Sequence, residues 1–289
     1  MHTRWISLIG VLFLAISPLA AQNGPRGFSK PQPTEELQKQ PQTKGAIGDQ
    51  QRHYYFTDAK QEMPYHLYVP KSYKPGTKMP LVVALHGYNG NHDYFFALVN
   101  NLPEICEQYG FIFVAPLGYS LGGWYGAPLS IPPTTGPGSK GKAKGPVQTP
   151  EEAQRERDLS EKDVMNVLEL VSKEYTVDKD RTFLMGHSMG GMGAYVLGQK
   201  YASKWAAVAP MSGTMAGADY HLDRLKKVPM LVSVGQTETE TANNAKAQIE
   251  EMKKLGMTAQ YLEIPEGTHM SMIPPTVPQI FAFFAKHKR

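Results

Sequence analysis

The sequence predicts an α/β fold with a doubly wound, mostly parallel sheet, and three observations carry that expectation. Short unbroken apolar runs recur along the chain: "LVVAL" (81–85), "FIFVAP" (111–116), "TFLMG" (182–186), "WAAVAP" (205–210), "MLVSVG" (230–235) and "YLEIP" (261–265). Runs without polar alternation suit strands covered on both faces, as in a parallel sheet. Helical periods lie between several of them, and strand alternating with helix implies right-handed crossovers. The chain has 289 residues, 41% hydrophobic and 19% charged, which is ordinary composition and within reach of one large domain.

From the N-terminus, Arg4 supplies a positive charge, Trp5 to Leu19 is mostly apolar, and Leu19-Ala20-Ala21 offers small residues for cleavage before Gln22. Residues 1–21 therefore read as a signal peptide, with the mature protein secreted or periplasmic. The apolar stretch falls short of the roughly 20 residues a membrane span needs, and no cysteine follows it, so no stable membrane anchor is expected. Residues 22–51, rich in Pro, Gln, Lys and Gly, read as a flexible linker. The catalytic domain is then 52–289. "HYYFTDA" and "YHLYVP" read as β segments around a turn in "KQEMP".

"FFALVNNLPEICEQYG" reads as a helix in which Cys106, the sole cysteine, packs as a small hydrophobe. Val164, Val167, Leu168 and Val171 share a helix face, with Ser160 placed to cap it ahead of Glu161 to Asp163. Ala245, Ile249 and Met252 repeat the pattern up to Gly256, and "PQIFAFFAKH" supplies the last helix. Gly126 to Pro150 is too long and too rich in Pro and Gly for an ordinary connection, and reads as a lid, binding loop or disordered insertion. The net charge of +4 is spread out, in Lys140, Lys142 and Lys144 and in the C-terminal Lys286, Lys288 and Arg289. No basic stripe interleaved with aromatics appears, so no nucleic-acid partner is expected.

The chemistry centres on Gly186-His187-Ser188-Met189-Gly190, a G-x-S-x-G match that a buried strand enters and a helical pattern leaves. That context is the nucleophile elbow, where a strained turn pushes the serine hydroxyl out above the sheet. Gly186 and Gly190 let strand and helix approach closely. A serine nucleophile needs a base. Of nine histidines, His269 follows the last strand run and precedes the last helix, where a loop reaches back over the strand ends. His187 is adjacent to Ser188, so its side chain leaves the turn in another direction and packs. The base needs a carboxylate, expected between the serine and the histidine at a strand end. Glu238 lies nearer the end of "MLVSVG" than Glu240 and is preferred, with Asp219 and Asp223 in reserve. Oxyanion donors are expected from the backbone N–H of Met189 and, across the loop after "LVVAL", of Tyr88, with His86 orienting that loop. Trp124 and Tyr125, just past a strand end, either wall a substrate pocket or pack internally.

His86-Gly87, "GYSLGGWYG", "LSEKDVMNVLELV", "RTFLMGHSMGGMGAY" and "EGTHMSM" together resemble the secreted bacterial α/β-hydrolase esterases. That group contains feruloyl esterases and poly(3-hydroxybutyrate) depolymerases and is similar to the catalytic domain of prolyl oligopeptidases. The resemblance covers roughly 53 to 286. It implies Ser188 as nucleophile, His269 as base and Gly87-Tyr88 as oxyanion loop. The family's acid is usually an Asp three residues after the strand-end glycine, whereas the residue three after Gly235 here is Glu238.

The expected function is a serine carboxylesterase that works through an acyl-enzyme on a small-molecule or polymeric ester. No H-E-x-x-H or P-loop motif is present, so neither cofactor nor metal is expected. A serine peptidase of prolyl-oligopeptidase type is the first alternative, although only a short linker stands where those enzymes carry a gating domain. A catalytically idle hydrolase-fold protein that binds a polymer or glycan is the second. A plant cell-wall ester, a polyester and a small ester fit the sequence equally.

Overall fold

The computed structural model describes residues 42–128, 149–214 and 221–289. The signal and most of the linker, the lysine cluster 140–144, most of the long loop and Asp219 lie outside the described residues.

Among the described residues, eight strands form one sheet in the order β1-β2-β4-β3-β5-β6-β7-β8. They are β1 (Gly48–Phe56), β2 (Gln61–Val69), β3 (Met79–Leu85), β4 (Ile112–Pro116), β5 (Val177–His187), β6 (Ala207–Met211), β7 (Met230–Gly235) and β8 (Ala259–Ile264). β1 pairs with β2 and β2 with β4 in antiparallel fashion. The other neighbours are parallel. The helices are α1 (Tyr94–Leu98), α2 (Leu102–Tyr109), α3 (Pro150–Glu174), α4 (Met189–Lys200), α5 (Thr239–Lys254) and α6 (Ile273–Phe284).

The unbroken apolar strands are buried on both faces because helices cover both. Leu81, Val83 and Leu85 of β3 face a cluster with Val164 and Val167 of α3, Leu197 of α4 and Ile249 of α5. Val82 and Ala84 face the opposite cluster, with Phe95, Ile105 and Cys106 of α1 and α2 and Phe281 and Phe284 of α6. Alternate residues of one strand thus feed two separate cores. Among the described residues no helix is long and apolar enough to cross a membrane.

Four boundaries depart from the sequence expectation. β1 opens at Gly48, inside the 22–51 segment read as linker. As an edge strand it is half exposed and carries polar residues, and its pairing runs from Gly48 opposite Val69 to Phe56 opposite Gln61. The turn after it spans residues 57–60, so most of "KQEMP" lies in β2. Pro64 is tolerated there because the β2–β4 pairing begins only at Tyr65. The expected helix through Cys106 is two helices, broken before Leu102-Pro103. Ser160 does not cap a helix: α3 begins at Pro150 under a capping box in which the Thr149 hydroxyl accepts from Glu152 N–H and the Glu152 carboxylate accepts from Thr149 N–H. Ser160 lies buried in mid-helix.

The strand order changes direction at β3. The chain passes from β3 to β4 on one side, then crosses to β5 on the other. The crevice beyond the carboxyl ends of β3 and β5 is where open α/β sheets bind ligands. Residues 86–88 leave β3 there, and Ser188 leaves β5.

Candidate active site

Ser188 sits between the end of β5 and the start of α4 with φ 56° and ψ −114°. A non-glycine residue in such a region costs on the order of 1–3 kcal/mol, which surrounding structure must supply. Backbone contacts supply it. A Cβ on Gly186 would lie 2.1 Å from Gly190 O, and one on Gly190 would lie 2.1 Å from Leu85 O. Only two glycines let β5, α4 and β3 meet at that spacing. Ser188 N–H donates to Met211 O at 2.8 Å, and Ser188 O accepts from Met192 N–H at 3.0 Å.

His269 lies on the loop between β8 and α6, with its side chain about half exposed. Its Nε2 is 2.9 Å from Ser188 Oγ, and its Nδ1 is 2.6 Å from Glu238 Oε2. A carboxylate accepts, so Nδ1 carries a proton, and in its neutral form the ring turns its Nε2 lone pair to the Ser188 hydroxyl. Glu238 is the residue before α5, 12% exposed in its side chain. Its other oxygen, Oε1, accepts from Ser212 Oγ–H at 2.6 Å and from Gly235 N–H at 3.1 Å. Burial alone would push this carboxyl up, but hydrogen bonds from His269, Ser212 and Gly235, and the charge that His269 carries when protonated, outweigh it and hold it below the usual range. The turn carrying Glu238 and the loop carrying His269 are joined where Thr237 N–H and Oγ1–H both donate to Gly267 O, at 3.0 and 2.8 Å.

The structure therefore brings Ser188, His269 and Glu238 into one hydrogen-bonded series. Glu240 lies exposed in the first turn of α5 and Asp223 exposed after β6, neither in that series. Ser212, with φ 44° at the end of β6, was not anticipated. No sequence motif marks it, because its role comes from a carboxylate 26 residues later.

Met189 is the first residue of α4, where helical N–H groups have no intrahelical acceptor. The loop carrying Tyr88 lies alongside: a Cβ on Gly87 would be 3.5 Å from Ser188 Cβ. His86 is buried with Nδ1 2.8 Å from Gly87 O and Nε2 2.7 Å from Leu117 O, and so joins this loop to the segment after β4. Tyr88 is 41% exposed, and its ring centroid lies 6.1 Å from that of half-buried Trp124.

Of its two readings, Tyr125 takes internal packing. It has no exposed surface, its ring covers Gly118 and Gly193, and its hydroxyl donates to His86 O at 3.2 Å. It supports the site from beneath and does not wall a pocket. The segment Leu117–Ala127 is held by α3, which sequence reading did not foresee. Asp163 Oδ2 accepts from Gly118 N–H at 2.7 Å and Tyr119 N–H at 2.9 Å, and Ser160 Oγ accepts from Tyr125 N–H at 3.1 Å. Tyr54 O–H donates to Asp163 Oδ1 at 2.6 Å. Burial pushes fully enclosed Asp163 up to about 6, against those three hydrogen bonds.

A mostly parallel sheet flanked by helices, with a strained serine above its switch point, defines an α/β-hydrolase. Comparison with known proteins narrows the class: the Esterase family model matches residues 57–269, and the chain belongs to that family. Two curated relatives are each 27% identical to it. One is a bifunctional acetylxylan esterase/xylanase of Neocallimastix patriciarum, over 51% of this chain and 17% of the relative. The other is feruloyl esterase B of Neurospora crassa, over 50% of this chain and 42% of the relative. The chain thus matches less than half the length of either. The fold is shared with a ferulic acid esterase from Anaeromyces mucronatus (TM-score 0.58, 17% identity, 85% of this chain and 94% of that one). It is shared also with an S-formylglutathione hydrolase from Staphylococcus aureus (TM-score 0.61, 12% identity, 83% and 100%).

Proposed function

We propose that this Esterase-family chain hydrolyses carboxylic esters through an acyl-enzyme on Ser188, and that it acts after export. The observation that carries the reading is the unbroken series from Glu238 through His269 to Ser188. Ser188 Oγ attacks the ester carbonyl while His269 Nε2 takes its proton. The oxyanion is held by the N–H groups of Met189 and Tyr88. Collapse breaks the ester C–O bond, and the leaving alkoxide takes the proton back from Nε2. Water then enters, gives a proton to His269 and attacks the acyl carbonyl, and Ser188 leaves with that proton. Glu238 stays ionised throughout and fixes the tautomer. The series argues against an idle binder. The Arg4, apolar and Ala20-Ala21 pattern supports export. The exposed Tyr88 beside Trp124 favours an aryl or other flat acyl group, in keeping with the name of the feruloyl esterase, whereas the name of the acetylxylan esterase points to a small acyl group.

The test is hydrolysis of p-nitrophenyl acetate, methyl ferulate and acetylated xylan by purified protein and by His269→Ala. Turnover of at least one ester is expected, with a loss of about a thousandfold or more in the variant, scaled down from the larger loss in a serine protease. Equal turnover by both proteins, or none by the wild type, contradicts the reading.

A further inference from the structure

His187 has no exposed surface, yet it is an imidazole with two polar nitrogens, so burial is costly unless both are satisfied. Both are. Nε2 lies 2.7 Å from the backbone oxygen of His269, and Nδ1 lies 2.8 Å from the Tyr94 hydroxyl. A carbonyl only accepts, so Nε2 carries a proton. Burial, reinforced by the charge of His269 whenever that ring is protonated, pushes His187 down to about 3, so the His187 ring is neutral and Nδ1 must accept. The Tyr94 hydroxyl is therefore the donor to Nδ1. Burial pushes that phenol up, which keeps its proton in place.

We propose that His187 is a positioning residue: it fixes the peptide plane that carries the base, and Tyr94 locks it in the one tautomer able to do so. The inference rests on His269 being the base. Its physical content is a shared reference point. His187 is the last residue of β5 and immediately precedes the nucleophile. Its hydrogen bond therefore ties the base loop to the same strand end that sets Ser188. The oxyanion loop meets it too, since a Cβ on Gly87 would lie 3.3 Å from His187 Nδ1. Nucleophile, base and oxyanion loop are thereby registered on one buried ring. The side chain of His269 is half exposed and can swing, so the Glu238 contact at one end needs a fixed backbone at the other. Neutrality matters as well. The two rings lie 4.6 Å apart, and a charged His187 would oppose the imidazolium that His269 becomes in the reaction.

The test compares His187→Gln, which offers an amide N–H near the position of Nε2, with His187→Phe, which offers none. kcat, KM and the thermal midpoint are measured on one soluble p-nitrophenyl ester. Misplacement of about 1 Å costs roughly a hundredfold, so His187→Phe is expected to lose about that in kcat with KM changed by less than about threefold. His187→Gln should recover to within about tenfold of wild type, even if its midpoint falls as far as that of the Phe variant. A purely structural role would make activity follow the midpoint in both. Equal kcat in the two variants overturns the proposal. Should His187→Phe not fold, Tyr94→Phe removes only the hydroxyl: a kcat lower by about tenfold at unchanged KM supports the proposal, and unchanged kcat overturns it. His269→Ala in the same assay separates the two levels. If it is inactive while the His187 and Tyr94 variants are fully active, only the positioning role falls. If it is fully active, the base assignment fails and this inference with it.

Discussion

Two strained turns flank the candidate site, and they are held in opposite ways. At the elbow, Ser188 with φ 56° is clamped by backbone against backbone, through Gly186, Gly190 and Leu85 O. Across the crevice, Tyr119, Trp124 and Tyr125 also have positive φ, at 65°, 58° and 52°. That segment is clamped by side chains of α3, Asp163 and Ser160, which lie 35 to 45 residues further along the chain. Both turns store strain, and both need a rigid frame to keep it. The first frame is backbone, contributed by β3 as well as by the turn itself, and allows no side chain. The second consists of side chains.

The largest expected effect breaks the backbone frame. Gly190→Ala forces a methyl 2.1 Å from a backbone oxygen that no rotamer change can move away. We expect loss of folded protein, or destabilisation above about 4 kcal/mol in urea unfolding. A variant that unfolds like wild type would mean that the elbow can relax and that its clamp is not backbone.

That contrast explains what could be read in advance. Gly186 and Gly190 were legible because close backbone approach excludes a Cβ, and the exclusion is written at the site itself. The buried strands were legible because coverage on both faces leaves no polar alternation, as in "LVVAL". His269 stood out by its place after the last strand run. The α3 clamp was not legible, because Asp163 and Ser160 on a helix look like an ordinary capping or solvated pattern. Their burial depends on a loop from elsewhere. Thr149-Pro150-Glu151-Glu152 did carry a capping-box signal for the true start of α3, one masked by its position at the end of a Pro- and Gly-rich stretch. Tyr125 could be read as a pocket residue as readily as a packed one, because the space that encloses it is made by Gly118 at the start of its own loop and by Gly193 of α4, far along the chain. β1 hid its first residues because an edge strand can be polar.

Glu238 is held in both ways, since the Ser212 hydroxyl from the end of β6 and the nearby Gly235 N–H together set its carboxylate. Glu238→Gln replaces the acceptor for His269 Nδ1–H with an amide that can favour the wrong tautomer. In a serine protease the corresponding change costs roughly ten thousandfold in kcat; here we expect at least about a hundredfold, and under about tenfold for the exposed Glu240→Gln. Circular dichroism should be unchanged for both. A greater loss in Glu240→Gln would move the acid by two residues. No loss in either would leave the hydrogen-bonded series without catalytic meaning.

The smallest expected effect measures the side-chain frame through pH. Asp163 is held at about 6, above its ordinary value of 3.8, so the folded chain binds this proton more tightly than the unfolded one. The contribution is fully present below about pH 4 and is lost as pH rises through about 6. Asp163→Asn lacks that proton. The stability of wild type relative to the variant should therefore fall between about pH 4 and pH 7, by no more than roughly 3 kcal/mol. Urea unfolding of both proteins at four pH values in that window reads it directly. A difference that stays flat, or rises with pH, would show that the clamp holds an ordinary carboxylate.

All of this presumes that the strained serine is the group that reacts, and covalent labelling tests that most directly. A fluorophosphonate probe, followed by intact mass and peptide mapping, should give one adduct per chain, on Ser188, absent in Ser188→Ala and strongly slowed in His269→Ala. An adduct on another serine, or labelling that persists in Ser188→Ala, would contradict the account.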